Sequence, residues 1–307
     1  MTGAAADEVA APVKQPPGTD TVGLGRWRAL GFVAPAVLLI GVFLVFPALW
    51  TLYIGVTNFR LTGVEARTPE IVGLDNYRRA LTDPTFWNSL WLTLLFTLGS
   101  AVIGQNVFGF ALAFALRSTR KVVRRVVEAL VLLAWILPSS VVAFLWVAML
   151  DRDGGTLNVM LGQTPGTAWL IQYPMVAIIL FNTWRGTAFS MMLYSAALTS
   201  VPPSHLETAR LAGSSTGQTL RHVILPHVRP YVLTNTLLIT LWTFNDFTPF
   251  LLTAGGPGRE TEIIPVYIYN TAIVSGDMGY SGAISLLVLL LNLVLALVYL
   301  RVLRRRA

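Results

Sequence analysis

The chain has 307 residues, of which 54% are hydrophobic and only 12% carry a charge. Soluble domains carry about 25% charged residues, so this composition excludes an ordinary soluble protein and indicates a membrane protein with several spans. The chain has no cysteine, which excludes disulfide frameworks, thiolate metal sites and thiol catalysis. Neither of its two lysines, Lys14 and Lys121, closes the Gly-x4-Gly-Lys-Ser/Thr loop that binds ATP phosphates.

Apolar blocks of about 20 residues or more, the length that crosses a bilayer, follow one another along the chain. They predict an all-α membrane protein with six transmembrane helices, at residues 30–54, 89–116, 126–150, 173–201, 230–253 and 281–300. We expect one transmembrane domain over residues 26–307. Residues 1–25 are rich in Ala, Pro and Gly and are predicted to form a disordered cytoplasmic tail.

The basic residues fall mainly on one side of the predicted helices. If the N-terminus is cytoplasmic, 15 Lys and Arg lie in cytoplasmic segments and six lie in external segments, while Arg185 lies within the fourth span. By the positive-inside rule, both termini and residues 202–229 are predicted to be cytoplasmic. The net charge of +7 is therefore a topology signal. It makes the lipid bilayer the predicted partner and nucleic acid a remote one.

Residues 202–229, between the fourth and fifth predicted spans, carry helix start and stop signals. Ser204 and Glu207 fit a capping box that begins a short helix. Gly213 fits a left-handed residue that ends it. The loop has two readings, a connection that lies on the membrane surface without a partner or a docking element.

A second capping box, Ser215 with Gln218, follows the glycine. The helix that begins there is predicted to run to about Leu225 and to stop before Pro226, because proline cannot donate a helical hydrogen bond. The loop is therefore predicted to consist of two short helices that meet at Gly213.

This loop resembles the EAA loop of bacterial ABC importer permeases. The resemblance rests on a Glu-Ala-Ala start, a Gly six residues after the Glu and an Ile-x-Leu-Pro ending, here Glu207-Thr208-Ala209, Gly213 and Val223-Ile224-Leu225-Pro226. Thr208, Ala212 and Val223 depart from the family's Ala, Asp and Ile. Over nearly the whole chain, further motifs resemble the maltose and glycerol-phosphate type of sugar importer, namely Ala34-Pro35, Phe46-Pro47, GLDNY at 73–77 and TAGGPGRETEIIPVYIY at 253–269.

The resemblance implies a permease subunit of an ATP-driven, binding-protein-dependent importer of a sugar or sugar-like solute, as a multi-pass protein of the bacterial inner membrane. It implies a second homologous permease subunit, two ATPase subunits and an extracytoplasmic solute-binding protein. The chain would be a transporter part and no enzyme, with no cofactor of its own, since ATP and Mg would bind to the ATPase. The residues implied to couple ATP hydrolysis to transport are Leu206, Glu207, Thr208, Ala209, Leu211 and Gly213.

Polar residues at membrane depth are costly and indicate function or tight packing. Asn182 and Arg185 share one face of the fourth span. Trp242, Asn245 and Asp246 follow at helical offsets in the fifth. These five residues are the predicted solute path, in which polar edges would hydrogen-bond hydroxyls and an aromatic face would come from Trp184, Trp242 or Phe244. The alternative is that Arg185 and Asp246 form a structural ion pair.

The second predicted span adds Ser100, Gly104, Gln105 and Phe108, a stripe with small residues that would allow close helix approach. Pro138 is predicted to kink the third span. His205, His222 and His227 have no metal-ligand spacing, so we predict no metal site and no catalytic residue.

Other functions stay open on the sequence alone. An importer of a glycerol phosphodiester or a polyol would use the same scaffold. An ion-coupled secondary transporter would use Arg185 and Asp246 as coupling groups, although no inverted repeat is found. A membrane enzyme would need a catalytic constellation, and none is found.

Overall fold

The computed structural model describes residues 26–304. Over this range the chain is helical without a β-strand, and strand-like pairing is limited to two isolated bridges, Thr57 with Ile71 and Arg60 with Asp277. The predicted all-α class is therefore confirmed. The predicted tail at residues 1–25 lies outside the described residues.

The helices follow one another with short connections, and four of them contain a wider π-helical stretch. In chain order they are α1 (26–55, with the π stretch Gly41–Val45), α2 (Asp75–Thr82), α3 (Pro84–Leu116, with Leu98–Gln105), α4 (Lys121–Ile136), α5 (Ser139–Met149), α6 (Thr156–Met160), α7 (Trp169–Gln172), α8 (Pro174–Thr199), α9 (Pro203–Leu211), α10 (216–244, with Leu220–Ile224), α11 (Phe250–Thr253), α12 (Ile264–Val274, with Asn270–Val274) and α13 (Met278–Arg304).

Four described helices are long and apolar enough to cross a membrane, namely Leu30–Gly55, Pro84–Leu116, Pro174–Thr199 and Met278–Val302. They correspond to the first, second, fourth and sixth predicted spans. Helices α4 and α5 pass the same test only as a pair. The predicted count of six spans therefore stays a prediction.

The third predicted span is not one straight helix, because α4 and α5 meet at an angle of 101°. Leu137 is extended (ψ 141°) and Pro138 follows it. Proline disfavours a helical conformation in the residue before it and lacks an N–H donor of its own. The kink predicted at Pro138 is confirmed, and it is large enough to break the span in two.

Two predictions around the fifth span are wrong, the helix stop before Pro226 and the end of the span at Thr253. Helix α10 begins at 216 and passes Pro226 without stopping, because the π-helical stretch Leu220–Ile224 widens the turn before the proline, where Leu225 N–H donates to Leu220 O. It then ends at Phe244 instead of reaching Thr253.

Helix α8 lies at the centre of residues 54–304 and packs against α3, α4 and α10. One apolar cluster fills the end of the bundle that carries residues 202–229, which we call the loop end. The buried residues of this cluster are Ala113, Leu116, Met191, Tyr194, Ala197, Leu198, Val201, Ile224 and Val228. The loop is therefore built directly on the core between α3, α8 and α10.

Glycines bring α3 and α8 close together, as predicted for the second span. A Cβ at Gly104 would lie 2.4 Å from Thr183 Oγ1, and one at Gly186 would lie within 2.3 Å of the Gln105 amide. A Cβ at Gly109 would lie 2.4 Å from Ser190 Cβ and 2.9 Å from the backbone nitrogen of Met191. The prediction of close approach through small residues is confirmed.

We expect Gly109→Ala to destabilise the purified chain by about 1–3 kcal/mol, because the added methyl group forces two packed helices apart. Gly217→Ala is the matched control, since no atom lies within 4 Å of its added Cβ. Thermal unfolding in detergent measures both variants. An unchanged midpoint for Gly109→Ala would contradict the packing described above.

Candidate functional site

A break in the helix after Phe244 positions three of the predicted path residues. The predicted helical offsets of Trp242, Asn245 and Asp246 are wrong, because α10 ends before Asn245. Asn245 Nδ2 donates to Leu241 O (2.7 Å) and closes the last turn. Asp246 Oδ1 accepts from the Thr248 N–H (2.9 Å) and the Thr248 hydroxyl (2.6 Å). Such local side-chain bonds compete with the helix, and they hold a turn here.

Arg185, on the neighbouring α8, reaches this turn. Its Nη1 lies 3.4 Å from Asp246 Oδ2 and donates to Thr248 Oγ1 at 3.0 Å. The side chains of Arg185 and Asp246 are 24% and 16% exposed. A guanidinium carries N–H groups on Nε, Nη1 and Nη2. Arg185 uses only Nη1 for its hydrogen bonds to the described residues. Arg185 therefore keeps donors for a ligand or for water.

Asn182 lies one turn away from Arg185 but is buried. Its Nδ2 donates to Ser100 Oγ (2.8 Å) on α3 and to Thr243 Oγ1 (3.2 Å) on α10. Its backbone oxygen accepts from Gln105 Nε2 (3.1 Å). Asn182 thus joins three helices, and the structure separates it from the exposed side of Arg185. A path role for Asn182 remains a prediction.

Two exposed aromatic residues lie near the predicted path in the sequence, Trp242 at the end of α10 and Trp184 next to Arg185. Trp242 is 52% exposed, and its ring meets Phe189 edge-on with centroids 4.8 Å apart. Trp184 is partly exposed and packs on Trp146. Phe244 is fully buried. The prediction that Phe244 offers a flat apolar face to a solute is therefore wrong, whereas Trp242 and Trp184 keep surface for such contact.

Two further residues at the break, Thr248 and Asn292, were not predicted as site residues. Asn292 on α13 exchanges amide hydrogen bonds with Asn245, at 3.3 Å and 3.2 Å. A lone Asn in the apolar sixth span was a signal for this contact. Together the break, Arg185 and Asn292 join α8, α10 and α13.

A second missed cluster lies closer to the loop end. Asn235 Nδ2 donates to Asn106 Oδ1 (2.9 Å) and Ser190 Oγ (2.9 Å), and Asn106 Nδ2 donates to Thr236 Oγ1 (3.1 Å). The Tyr194 hydroxyl also donates to Asn106 Oδ1. These bonds pair the amide N–H groups of both asparagines, whereas the buried Asn235 Oδ1 has no hydrogen-bond partner among the described residues. They tie α3, α8 and α10 together below the break.

The short helix α9 of the loop does not begin as predicted. Pro202 is the N-cap without a side-chain bond, and Pro203 opens the helix. The predicted capping box at Ser204 and Glu207 is therefore wrong. Proline fixes a helical φ and suits the first helical position. The helix begins at Pro203, so Ser204 lies inside it. Ser204 O instead accepts from Thr208 Oγ1 (2.8 Å).

The end of α9 and the start of α10 agree with the sequence. Gly213 has φ +75°, its N–H donates to Arg210 O (3.0 Å), and Ser214 N–H donates to Ala209 O (3.0 Å). This is the Schellman pattern, in which a left-handed residue follows the helix. Ser215 accepts from Gln218 N–H (3.3 Å), and Ser215 N–H donates to Gln218 Oε1 (2.8 Å). The second capping box is confirmed.

The predicted loop residues divide into two faces of α9. Leu206 packs inward on the loop-end core, and Ala209 is buried. Glu207, Thr208 and Leu211 point outward, and Leu211 is 91% exposed. A leucine held this far into solvent at a rigid turn can bind a partner without a change in the core.

At the opposite end of the bundle, Asp83 caps α3 outside the predicted spans. Its Oδ2 accepts from the hydroxyls of Tyr267 (2.7 Å) and Tyr280 (3.0 Å), and its Oδ1 accepts from Thr85 N–H (2.8 Å). Burial acts to raise the pKa of this carboxyl, but the hydrogen bonds from Tyr267, Thr85 and Tyr280 outweigh burial and lower the pKa below its ordinary value.

This lowered pKa predicts a loss of stability in acid. A carboxyl with a lower pKa in the folded state stabilises the fold above its unfolded pKa, about 4, and that contribution is lost as the pH falls through the folded pKa. We expect Asp83→Asn to reduce the drop in unfolding temperature below about pH 4. Melting curves of both proteins in detergent across this range are the measurement, and parallel pH profiles would contradict the expectation.

The chain is similar to known transport proteins over most of its length. The family model described as binding-protein-dependent transport system inner membrane component matches residues 105–307. An inner membrane ABC transporter permease protein of Escherichia coli, YcjO, is 31% identical over 279 residues, which cover 86% of this chain and 89% of that protein. The trehalose/maltose transport system permease protein MalF of Thermococcus litoralis is 30% identical over 289 residues, 92% of this chain and 96% of that protein.

A solved structure supports the fold. One chain of a bacterial ABC transporter involved in the import of the acidic polysaccharide alginate matches with a TM-score of 0.78 at 22% identity, covering 91% of this chain and 96% of that chain. The relatives are permease subunits, which are membrane components of transporters and not enzymes. The chain belongs to the family of inner membrane components of binding-protein-dependent transport systems.

Proposed function

We propose that this chain is one permease subunit of an ATP-driven importer of a sugar or sugar-like solute, with both termini cytoplasmic. A second homologous permease, two ATPase subunits and an extracytoplasmic solute-binding protein complete the assembly. Two observations support the proposal: the similarity to a trehalose/maltose permease and the excess of basic residues on the predicted cytoplasmic side. ATP and Mg bind to the ATPase partners.

The observation that carries the solute class is the broken helix beside Arg185. Irregular backbone at membrane depth is tolerated where it is buried in protein or lines a cavity. Arg185 offers N–H donors and Asp246 offers carboxylate lone pairs, which match sugar hydroxyls. The exposed ring of Trp242 offers an apolar face for the C–H side of a sugar ring. Asn245, held by Asn292, lies at the edge of this surface.

The loop 202–229 is proposed as the contact with the ATPase. Its outward face of Glu207, Thr208 and Leu211 meets the ATPase, while Leu206 packs α9 against the core. Gly213 fixes the angle between α9 and α10, which runs without interruption to the break after Phe244. Movement of the ATPase at α9 is thereby delivered to the break through one continuous helix.

Co-purification after extraction in mild detergent tests the assembly. A tagged chain is expected to bring with it a second permease and an ATPase, and the ATPase rate is expected to rise when solute-loaded binding protein is added. Recovery of the tagged chain alone, or with an ion-coupled carrier partner, would contradict the proposal.

The solute class is tested on the partner binding protein by ligand-induced thermal shift. Disaccharides and monosaccharides are expected to raise its unfolding temperature. Glycerol phosphodiesters and polyols are the alternative on the same scaffold. A shift with these compounds and none with sugars would assign that alternative, and a shift with amino acids only would contradict both.

A further inference from the structure

The link between α3 and α4 and the start of α4 carry a group of five basic residues. Arg117, Arg120, Lys121, Arg124 and Arg125 lie within nine residues, with no acidic residue before Glu128. Arg124 is paired with Glu128 at 2.7 Å. The other four side chains are exposed. Four cations thus lie together at the loop end of the bundle.

An exposed apolar stripe overlaps the last of these cations and continues beyond them along α4. Val122, Val126 and Leu130 lie at successive turns of α4 and are all exposed. The rise along α4 from Lys121 to Arg125 is about 6 Å, which is close to the depth of the headgroup layer on one side of a bilayer. When Val126 and Leu130 face the hydrocarbon core, the cations therefore lie at the depth of the lipid headgroups.

We propose that Arg117, Arg120, Lys121 and Arg125 form a binding surface for the anionic headgroups of phospholipids. A phospholipid offers both a phosphate for the four cations and acyl chains for the exposed valines beside them. A solvated charge run would not need the apolar stripe that follows it. Each cation near an anionic membrane surface strengthens binding about fivefold, so the group selects anionic over zwitterionic lipid.

The test uses the wild-type complex reconstituted in vesicles of equal parts phosphatidylglycerol and phosphatidylcholine. Lipids retained after gentle extraction are counted by native mass spectrometry. We expect phosphatidylglycerol to be enriched on the wild type and its relative affinity to fall about 25-fold in Arg120→Gln/Lys121→Gln. The matched control is Arg67→Gln/Arg152→Gln, which removes the same charge from exposed positions outside α3, α4 and the loop 202–229. It should retain the enrichment.

A measurement without substitutions guards against a variant that fails to insert. Salt screens exposed charges over about 8 Å at physiological strength and about 3 Å at 1 M, so phosphatidylglycerol enrichment on the wild type should fall as NaCl is raised. Enrichment that is unaffected by salt, or equal in the double variant and the wild type, would overturn the proposal. So would a double variant that keeps its lipid but loses the ATPase subunits, because the surface would then bind a protein.

Discussion

Leu211→Asp is expected to reduce ATP-driven uptake at least tenfold at equal amounts of inserted protein. Leu211 is 91% exposed, so the substitution leaves the core of the chain unchanged. A buried leucine at an interface contributes about 1.5–3 kcal/mol, and an unpaired carboxylate in its place adds a desolvation cost. Uptake into membrane vesicles and ATPase co-purification are the readouts. Leu211→Ile is the matched control and should transport normally.

Gly213 supplies an independent test of the same contact. A β-branched residue is a genuine outlier at its φ of +75°, whereas Asn tolerates the left-handed region. Gly213→Val should turn α9 against α10 and leave ATP hydrolysis unresponsive to loaded binding protein, and Gly213→Asn should preserve most of the response. Ala209→Trp is less informative, because Ala209 is buried in the chain itself. Normal uptake by both Leu211→Asp and Gly213→Val would contradict the ATPase contact and would show that the loop is a connection without a partner.

Arg185→Gln is expected to lower uptake strongly while the assembled complex persists. The substitution removes a charged donor that contacts Asp246 and Thr248, worth about 2 kcal/mol, and it removes the N–H groups proposed to bind hydroxyls. Asp246→Asn removes the charge, yet its amide oxygen can still accept from Thr248. Uptake and thermal stability, measured together on both variants, separate a path residue from a packing residue.

The double variant Arg185→Gln/Asp246→Asn distinguishes the two roles of the pair. Neutral amides can hydrogen-bond to each other, so a double-mutant cycle should show recovery of stability relative to the single variants. A solute role predicts that uptake stays low in the double variant. If uptake recovers together with stability, the pair is structural and the path lies elsewhere.

The local features of the loop were predictable because they depend on a few neighbouring residues. The left-handed Gly213 and the Ser215–Gln218 box follow from residue type and spacing alone. The box at Ser204 failed because a stronger local preference, proline at the first helical position, moved the helix start to Pro203. A prediction that weighed the proline first would have placed Ser204 inside the helix.

The break after Phe244 was missed because apolar length was counted without regard to turn chemistry. Asn245, Asp246 and Pro249 are residues that favour turns, and their order already indicated the end of a helix. The contact between Arg185 and Asp246 agrees with the alternative drawn from the sequence, in which these two residues form an ion pair. The roles of Asn106, Asn235 and Asn292 depend on how the helices are rotated against one another, which periodicity does not fix.

A single cysteine tests the central claim most directly, that α9 carries the ATPase contact. The chain has no cysteine of its own, so Leu211→Cys creates one reactive site on the outward face of the loop. With a short bifunctional reagent in membranes, we expect a cross-linked product between this chain and the ATPase, and none from Arg259→Cys in the predicted external loop. A cross-link to the ATPase from Arg259→Cys, or none from Leu211→Cys in a complex that still transports, would contradict the account.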